Sequence, residues 1–363
     1  MKHNLTASDV ELAKRIKELK GITSKDGFES ILKQLVPVEK IPEIERIISG
    51  LTQEDEFALL CKMLNCCSSI TPLNQTPIVS EFELTPDFQA TLHAGSFFSN
   101  MSSRQAPPFN CMIEVKSTEK MKFKCSRKDI DKRRKFAQRF NLPLIYAIRF
   151  TLIKENPLWL IIPADDLYNK NRVDINEDYV DSLTHLIFDN YSIIANKTYT
   201  FVRKYSLNKT GIGEISDKLG HLQSVQIISK EGKVYFPPEH DSLLLAMMYN
   251  FFAVTSSYTE TYQGESVVYS GFNMGTFLTL VDIVYFLNKL LTNPDNSDYY
   301  EPLRAIANMD SKTSPTFLIN RDDVEDVIRR TNESCENFFF FGLIGNHEKR
   351  VDRLSSLMTS VRA

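Results

Sequence analysis

The sequence lacks any segment that reads as a membrane span. Its longest apolar stretch, TFLTLVDIVYFLNKLL from Thr276 to Leu291, carries Asp282 and Lys289 and falls short of the roughly 20 residues a bilayer crossing needs. It predicts a buried helix, and no membrane partner. The opening stretch, MKHNLTASDVELAKRIKELK, is charged throughout and has no apolar run of the kind a secretory signal requires, so no export is expected. Six cysteines are present, Cys61, Cys66, Cys67, Cys111, Cys125 and Cys335, but none falls in a CxxC pair, and no second half-site with histidine spacing follows. That argues against a zinc site. Free thiols in a reducing cytoplasm fit better than disulfides. Internal repeats and low-complexity tracts are absent too. GIGEISDKLG (Gly211–Gly220) lacks the lysine arrangement of a phosphate-binding loop.

What is present is ordinary in amount and uneven in placement. The 363 residues are 42% hydrophobic and 25% charged, enough for two or three globular domains. Net charge is -3. Between Lys116 and Arg139, however, eleven Lys or Arg stand against three acids, a local +8, which leaves -11 for the rest. One basic segment in an acidic chain points to a localised anionic partner.

Residues 1–66 read as helical. Val10, Leu12, Ile16 and Leu19 recur at roughly helical spacing, as do Phe28, Ile31, Leu32 and Leu35 before Pro37. TQEDE from Thr52 predicts the start of a further helix carrying Phe57, Leu59, Leu60, Met63 and Leu64. After Pro72 the character changes. Pro77–Leu84 alternates like a strand, and Asp87–Leu92 continues as strand after Pro86. Gly95–Asn110 reads as a long polar loop. Cys111–Lys116 is a short strand, Ser126–Asn141 a basic helix, and Leu142–Phe150 and Leu158–Ile162 are apolar strands of a sheet centre. The order helix, three strands, helix, two strands predicts an α/β domain with a mixed sheet. Beyond it, residues 169–204 read as a connection. Residues 205–363 read as a mainly helical domain, despite strand-like runs at SVQIIS and KVYF.

Chemistry concentrates at Pro86-Asp87 and Glu114-Val115-Lys116. Strand side chains alternate faces, so Glu114 and Lys116 point the same way and Val115 the other. Asp87 opens the neighbouring strand and can face the same point. Asp87 and Glu114 would hold a hard divalent cation such as Mg2+, with Mn2+ able to substitute, joined by the Val115 carbonyl. Such an ion lowers the pKa of bound water and neutralises phosphate charge. Lys116 would stand beside that water or the phosphate. The expected reaction is phosphodiester hydrolysis.

PDF and then IEVKS, with 26 residues between Asp87 and Glu114, resembles the PD-(D/E)xK nuclease superfamily, which includes restriction endonucleases and archaeal-type Holliday junction resolvases. KDIDKRRKFAQRFNLPLIYAIRF and LWLIIPADDL are similar to the helix and strands that follow ExK in resolvase-like members. The resemblance covers residues 52–168, less than a third of the chain, between an N-terminal helical segment (1–51) and the C-terminal residues. It implies a restriction endonuclease-like core and an endonuclease acting on DNA, with a restriction or phage-defence role. It also implies a homodimer or a partner protein on the C-terminal domain. A further acid on the preceding helix is implied, with Glu56 the first candidate and Glu54 the second; both equally suit a helix N-terminus. A polar residue on the helix after ExK falls at Gln138.

Phosphate contacts are expected from Lys120, Lys124, Arg127, Lys128 and Arg134, though the basic residues cover more than one helix face. Glu81 and Glu83 suit either the metal site or a solvated strand. Phe97, Phe98 and Arg104 suit either substrate contact or a surface excursion. His240-Asp241 reads as a loop and helix cap rather than a dyad, and Phe338–Phe341 as a buried strand or helix end. A nucleic-acid-binding or scaffolding subunit with the same fold and little cleavage is the alternative.

Overall fold

The computed structural model describes residues 7–20, 23–74, 83–93, 108–152, 157–196, 198–211, 215–235, 242–251, 253–273, 278–292 and 318–360. The chain divides into two compact units, one of residues 1–190, 288–320 and 344–363, the other of 191–287 and 321–343. None of the described helices is long and apolar enough to cross a membrane.

The first unit begins with three helices, α1 (Ala7–Lys20), α2 (Lys25–Leu35) and α3 (Ile41–Met63). Ser24 caps α2 by accepting a hydrogen bond from the Gly27 N–H at 3.2 Å. Ala13, Ile16, Leu32, Val36, Ile44 and Ile48 form a small core among the three. The helix expected from Thr52 instead starts at Ile41. Pro42 sits in its first turn, where a missing N–H costs nothing. A domain boundary at residue 51 therefore cuts through α3.

The main sheet of this unit has five strands, β1 (Cys67–Pro72), β2 (Phe88–Leu92), β3 (Phe109–Thr118), β5 (Leu144–Phe150) and β6 (Leu158–Pro163), in spatial order β1-β2-β3-β5-β6. β4 (Lys122–Phe123) pairs outside it with β7 (Val173–Asp174). Only β3 and β5 run parallel. A parallel pair needs a crossover, and helix α4 (Arg127–Arg139) supplies it. Helix α5 (Ala164–Lys170) follows β6. The short helices α6 (Ile175–Asp178) and α7 (Thr184–Ile187) complete this stretch. The mixed α/β class is as expected. The first described strand is CSSITP, and the strand expected at Pro77–Leu84 lies mostly outside the described residues.

The two sheet faces carry different layers. Met112, Tyr146, Ile148, Leu160 and Ile162 pack with Ile130 and Ala137 of α4 and Leu167 of α5. On the opposite face the Phe57 ring of α3 lies 5.2 Å from Trp159. Both faces of β5 and β6 are covered, which explains their unbroken apolar runs.

The second unit corrects the expected helical C-terminal domain. In it β9 (Thr200–Ser206), β10 (Ile215–Ser216), β11 (Gly220–Ile228), β13 (Ala253–Tyr262) and β14 (Glu265–Asn273) form one antiparallel sheet in the order β10-β11-β9-β14-β13, with β12 (Val234–Tyr235) on β11. A smaller sheet sets β8 (Tyr191–Ala195) between β15 (Leu278–Thr279) and β16 (Phe339–Leu343). The tetra-phenylalanine thus feeds a strand. Helices α8 (Ser242–Phe251), α9 (Leu280–Thr292) and α10 (Arg321–Ser334) do fall where apolar periodicity places them. The last helix, α11 (His347–Ser360), belongs to the first unit. The hairpin β13–β14 went unread as strand because β13 is Ser/Thr/Tyr-rich and exposed along most of its length.

Candidate active site

The site forms where β2 leaves β3. Phe88 pairs with Ile113, and β3 then continues to Thr118 against β5 alone. Asp87, one residue before β2, lies level with Glu114. Its carboxylate takes over the ladder: Oδ2 accepts a hydrogen bond from the Val115 N–H at 2.6 Å. The point of convergence is a fork inside the sheet, between β2 and β3, rather than a sheet edge.

Glu114 and Lys116 share the face that carries α4, as strand alternation requires. Glu114 is fully buried and Asp87 is 4% exposed. Glu114 accepts two cations. Lys116 Nζ pairs with its Oε1, and Arg133 Nε of α4 lies 2.7 Å from its Oε2. Lys116 Nζ also donates to the Val115 carbonyl at 3.1 Å. The Lys116 side chain, 34% exposed, forms the solvent-facing end of the group. Tyr146, beside Glu114 on β5, has its hydroxyl in the same field of charges.

Two buried carboxyls and two cations meet at the fork. Burial pushes the Asp87 carboxyl up to about 7, with the Glu114 charge adding to it and Lys116 opposing. Glu54 on α3 feels the same charges without a hydrogen bond or ion pair to them among the described residues. Burial pushes it up to about 8, with Asp87 the largest of its charged neighbours. Burial works against the Lys116 ammonium, but Glu114 and Asp87 outweigh it and hold its pKa above the usual lysine value.

Glu56, the first candidate for a fourth ligand, is elsewhere. It pairs with Arg149 of β5 at 2.9 Å. Arg149 lies level with Ser117, on the face opposite Glu114, so the sheet itself stands between Glu56 and the site. The second candidate, Glu54, has Asp87 as the largest of its charged neighbours. A test separates the two. Glu56→Ala is expected to destabilise the fold by about 3–5 kcal/mol, the usual cost of orphaning one partner of a buried ion pair. Urea denaturation would show that loss, while calorimetric Mg2+ binding should be unchanged.

Of the expected phosphate contacts, two are engaged within the fold. Arg127 Nε donates to the Tyr168 carbonyl at 3.1 Å, and Arg134 pairs with Asp165 at 2.6 Å and lies over the Tyr168 ring. Both tie α4 to α5. Lys120, Lys124 and Lys128 are exposed, and among the described residues none forms an ion pair. Gln138 is exposed near the end of α4, turned away from the stripe of Ile130, Arg133 and Ala137 that faces the sheet. Arg133 is therefore the helix residue that meets the site. Its position between two apolar residues at i-3 and i+4 was the signal for it. Glu83 pairs with Arg139 at 2.9 Å. Glu81, Phe97, Phe98, Arg104, His240 and Asp241 lie outside the described residues.

The donors at the fork are oxygen atoms only, which suits a hard divalent cation. Asp87 and Glu114 would hold it, with the Val115 carbonyl adjacent. Among the described residues no three His, Cys, Asp or Glu already surround one point closely enough to hold an ion. The reason is visible in the pairing: Glu114 is drawn onto Lys116 and Arg133. No family model, no curated protein and no solved structure matches this chain.

Proposed function

We propose that the protein is a metal-dependent nuclease acting at the β2–β3 fork. The observation that carries the reading is the meeting of buried Asp87 and Glu114 with Lys116 and Arg133 at the fork, where Asp87 accepts from the Val115 N–H and Glu114 pairs with both cations. Buried clusters of ionisable groups with shifted protonation are kept at a cost in stability and mark functional sites. A divalent ion supplies charge neutralisation and an acidified water there.

The chain's own residues do the rest. Asp87 is fixed by its hydrogen bond to Val115 and cannot swing away from the fork. Lys116 and Arg133 leave Glu114 when the carboxylates take up other positive charge, and become free to meet an anion. Lys116, at the solvent end, then receives the non-bridging oxygens of a phosphodiester and holds the charge that develops on them. Lys120, Lys124 and Lys128 provide sequence-independent attraction for the backbone.

A second reading keeps nucleic-acid binding without cleavage. The near-complete burial of Asp87 and Glu114 favours it, because the ion cluster is self-neutralised as it stands. Incubating plasmid and single-stranded DNA with Mg2+ or Mn2+ distinguishes the two. Cleavage by the wild type but not by Asp87→Asn supports the nuclease. Binding without cleavage in either protein would leave only the second reading.

The electrostatic part has its own check. Replacing Lys120, Lys124 and Lys128 together by Gln is expected to reduce the slope of log affinity against log salt by about 0.9 for each duplex phosphate that is no longer neutralised. Fluorescence anisotropy over a salt series would measure it. An unchanged slope would place the nucleic-acid path elsewhere.

A further inference from the structure

The two edges of the large sheet in the second unit are unlike. On one side the terminal strands β10 and β12 are two residues each, which is how sheets commonly blunt an edge. On the other side β13 runs ten residues, and from Ser256 to Tyr262 every side chain is exposed. Val254, Tyr258 and Tyr262 are 54%, 58% and 75% exposed. The strand has no Lys, Arg or Pro, the residues that normally keep an edge from pairing.

The free backbone groups can be assigned. Gln263 and Gly264 both have positive φ, 50° and 83°, a type I′ turn closing Tyr262 on Glu265. In such a hairpin the closing pair exchanges both hydrogen bonds, and bonded pairs then alternate. Tyr262, Glu260 and Tyr258 therefore bond inward to β14. Ser257, Thr259 and Thr261 turn their N–H and C=O outward. The Thr261 and Ser266 hydroxyls, 3.1 Å apart, fit the closer side-chain approach of a non-bonded pair. Among the described residues no strand pairs with this outer row.

We propose that the outer edge of β13 pairs antiparallel with β13 of a second copy of the chain, about a twofold axis at Thr259. In that register Thr259 meets its own copy, and Ser257 meets Thr261 on either side. Three residue pairs, each exchanging two bonds, add on the order of six backbone hydrogen bonds. Glu260 then lies opposite Tyr258 of the copy. Sliding one bonding step towards the turn puts Glu260 against Glu260, which like-charge repulsion disfavours, and one step the other way sets Thr261 against the irregularity between Val254 and Ser256. Glu260 is also the only charge on the strand, so a phosphate backbone is not drawn to it. A peptide edge is. The inference rests on the second unit alone and stands independently of the nuclease reading.

Sedimentation equilibrium of the full chain tests it. The wild type is expected to dimerise. Thr259→Lys and Thr259→Glu each place like charges face to face at the axis, and should raise the dimer dissociation constant at least about 100-fold. Mixed in equal amounts, the two variants should recover the dimer, which a folding defect would not do. A wild type that stays monomeric at its highest soluble concentration overturns the proposal and points the edge to a strand of another protein. So does undiminished self-association of both variants.

Discussion

Asp87→Asn is expected to raise the stability of the metal-free protein at pH 8 and to lower DNA cleavage at least about 10³-fold. The two effects have one cause. At pH 8 the wild type must hold Asp87 ionised, 4% exposed and beside Glu114. Asparagine removes that charge and retains a carbonyl oxygen that can accept from Val115 N–H. The fold then loses a repulsion and keeps its hydrogen bond. On the proposed function the fork also loses a metal ligand, and with it the neutralisation and water activation that would account for factors of this size. Lys116→Met should cost about 10²–10³-fold, the usual range for one transition-state donor. It differs in sign on stability, because it strips a cation from buried Glu114. Thermal melts beside a plasmid-cleavage assay read both quantities. A purely structural ion cluster predicts the stability changes without any loss of cleavage, and that outcome would remove Asp87 from the chemistry.

The sequence made the central layer legible for a physical reason. β3, β5 and β6 are covered on both faces, so their apolar runs are dense, and the basic helix between β3 and β5 follows from the parallel crossover. Strand alternation then placed Glu114 and Lys116 on one face without further information. What alternation did not reveal was which face each flanking helix covers. Glu56 and Glu54 are two residues apart on α3 and look equivalent in a helix read as starting at Thr52. Only the packing of Phe57 on Trp159 assigns α3 to the face opposite Glu114, and that sends Glu56 to Arg149. The basic helix shows the same limit. Eleven positive residues suggested a broad phosphate-binding surface, but Arg127 and Arg134 are spent on α5 and Arg133 on Glu114. Local charge was readable; its internal neutralisation required tertiary contacts. In the C-terminal half, β13 and β14 lacked the apolar alternation that marks a half-buried strand, since β13 packs little against anything. There the Gln-Gly turn between Tyr-rich segments was the available signal.

The metal-free protein is expected to lose stability as pH rises from about 4.5 to 8, the reverse of what paired carboxylates ordinarily do. The sign follows from proton counts. Unfolded Asp and Glu release their protons near pH 4, whereas native Asp87 and Glu54 retain theirs up to about 7 and 8. Between those limits the native state binds more protons than the unfolded one, so the unfolding free energy falls with increasing pH. Each group contributes at most about 1.4 kcal/mol per unit of pH within its window. Two of them make several kcal/mol, a large part of the margin of an ordinary domain. Mg2+ should act in the opposite direction. Its binding draws on the ionised carboxylates, so its stabilising effect should be small at pH 5.5 and largest near pH 8, where the repulsion it relieves is greatest. Melting temperatures across this range, with and without the ion, would trace both curves. Asp87→Asn should flatten the metal-free curve and abolish the difference made by Mg2+. A metal-free melting temperature that climbs steadily to pH 8, and is indifferent to Mg2+, would mean that the carboxylates at the fork are already satisfied by Lys116 and Arg133 and await no further cation.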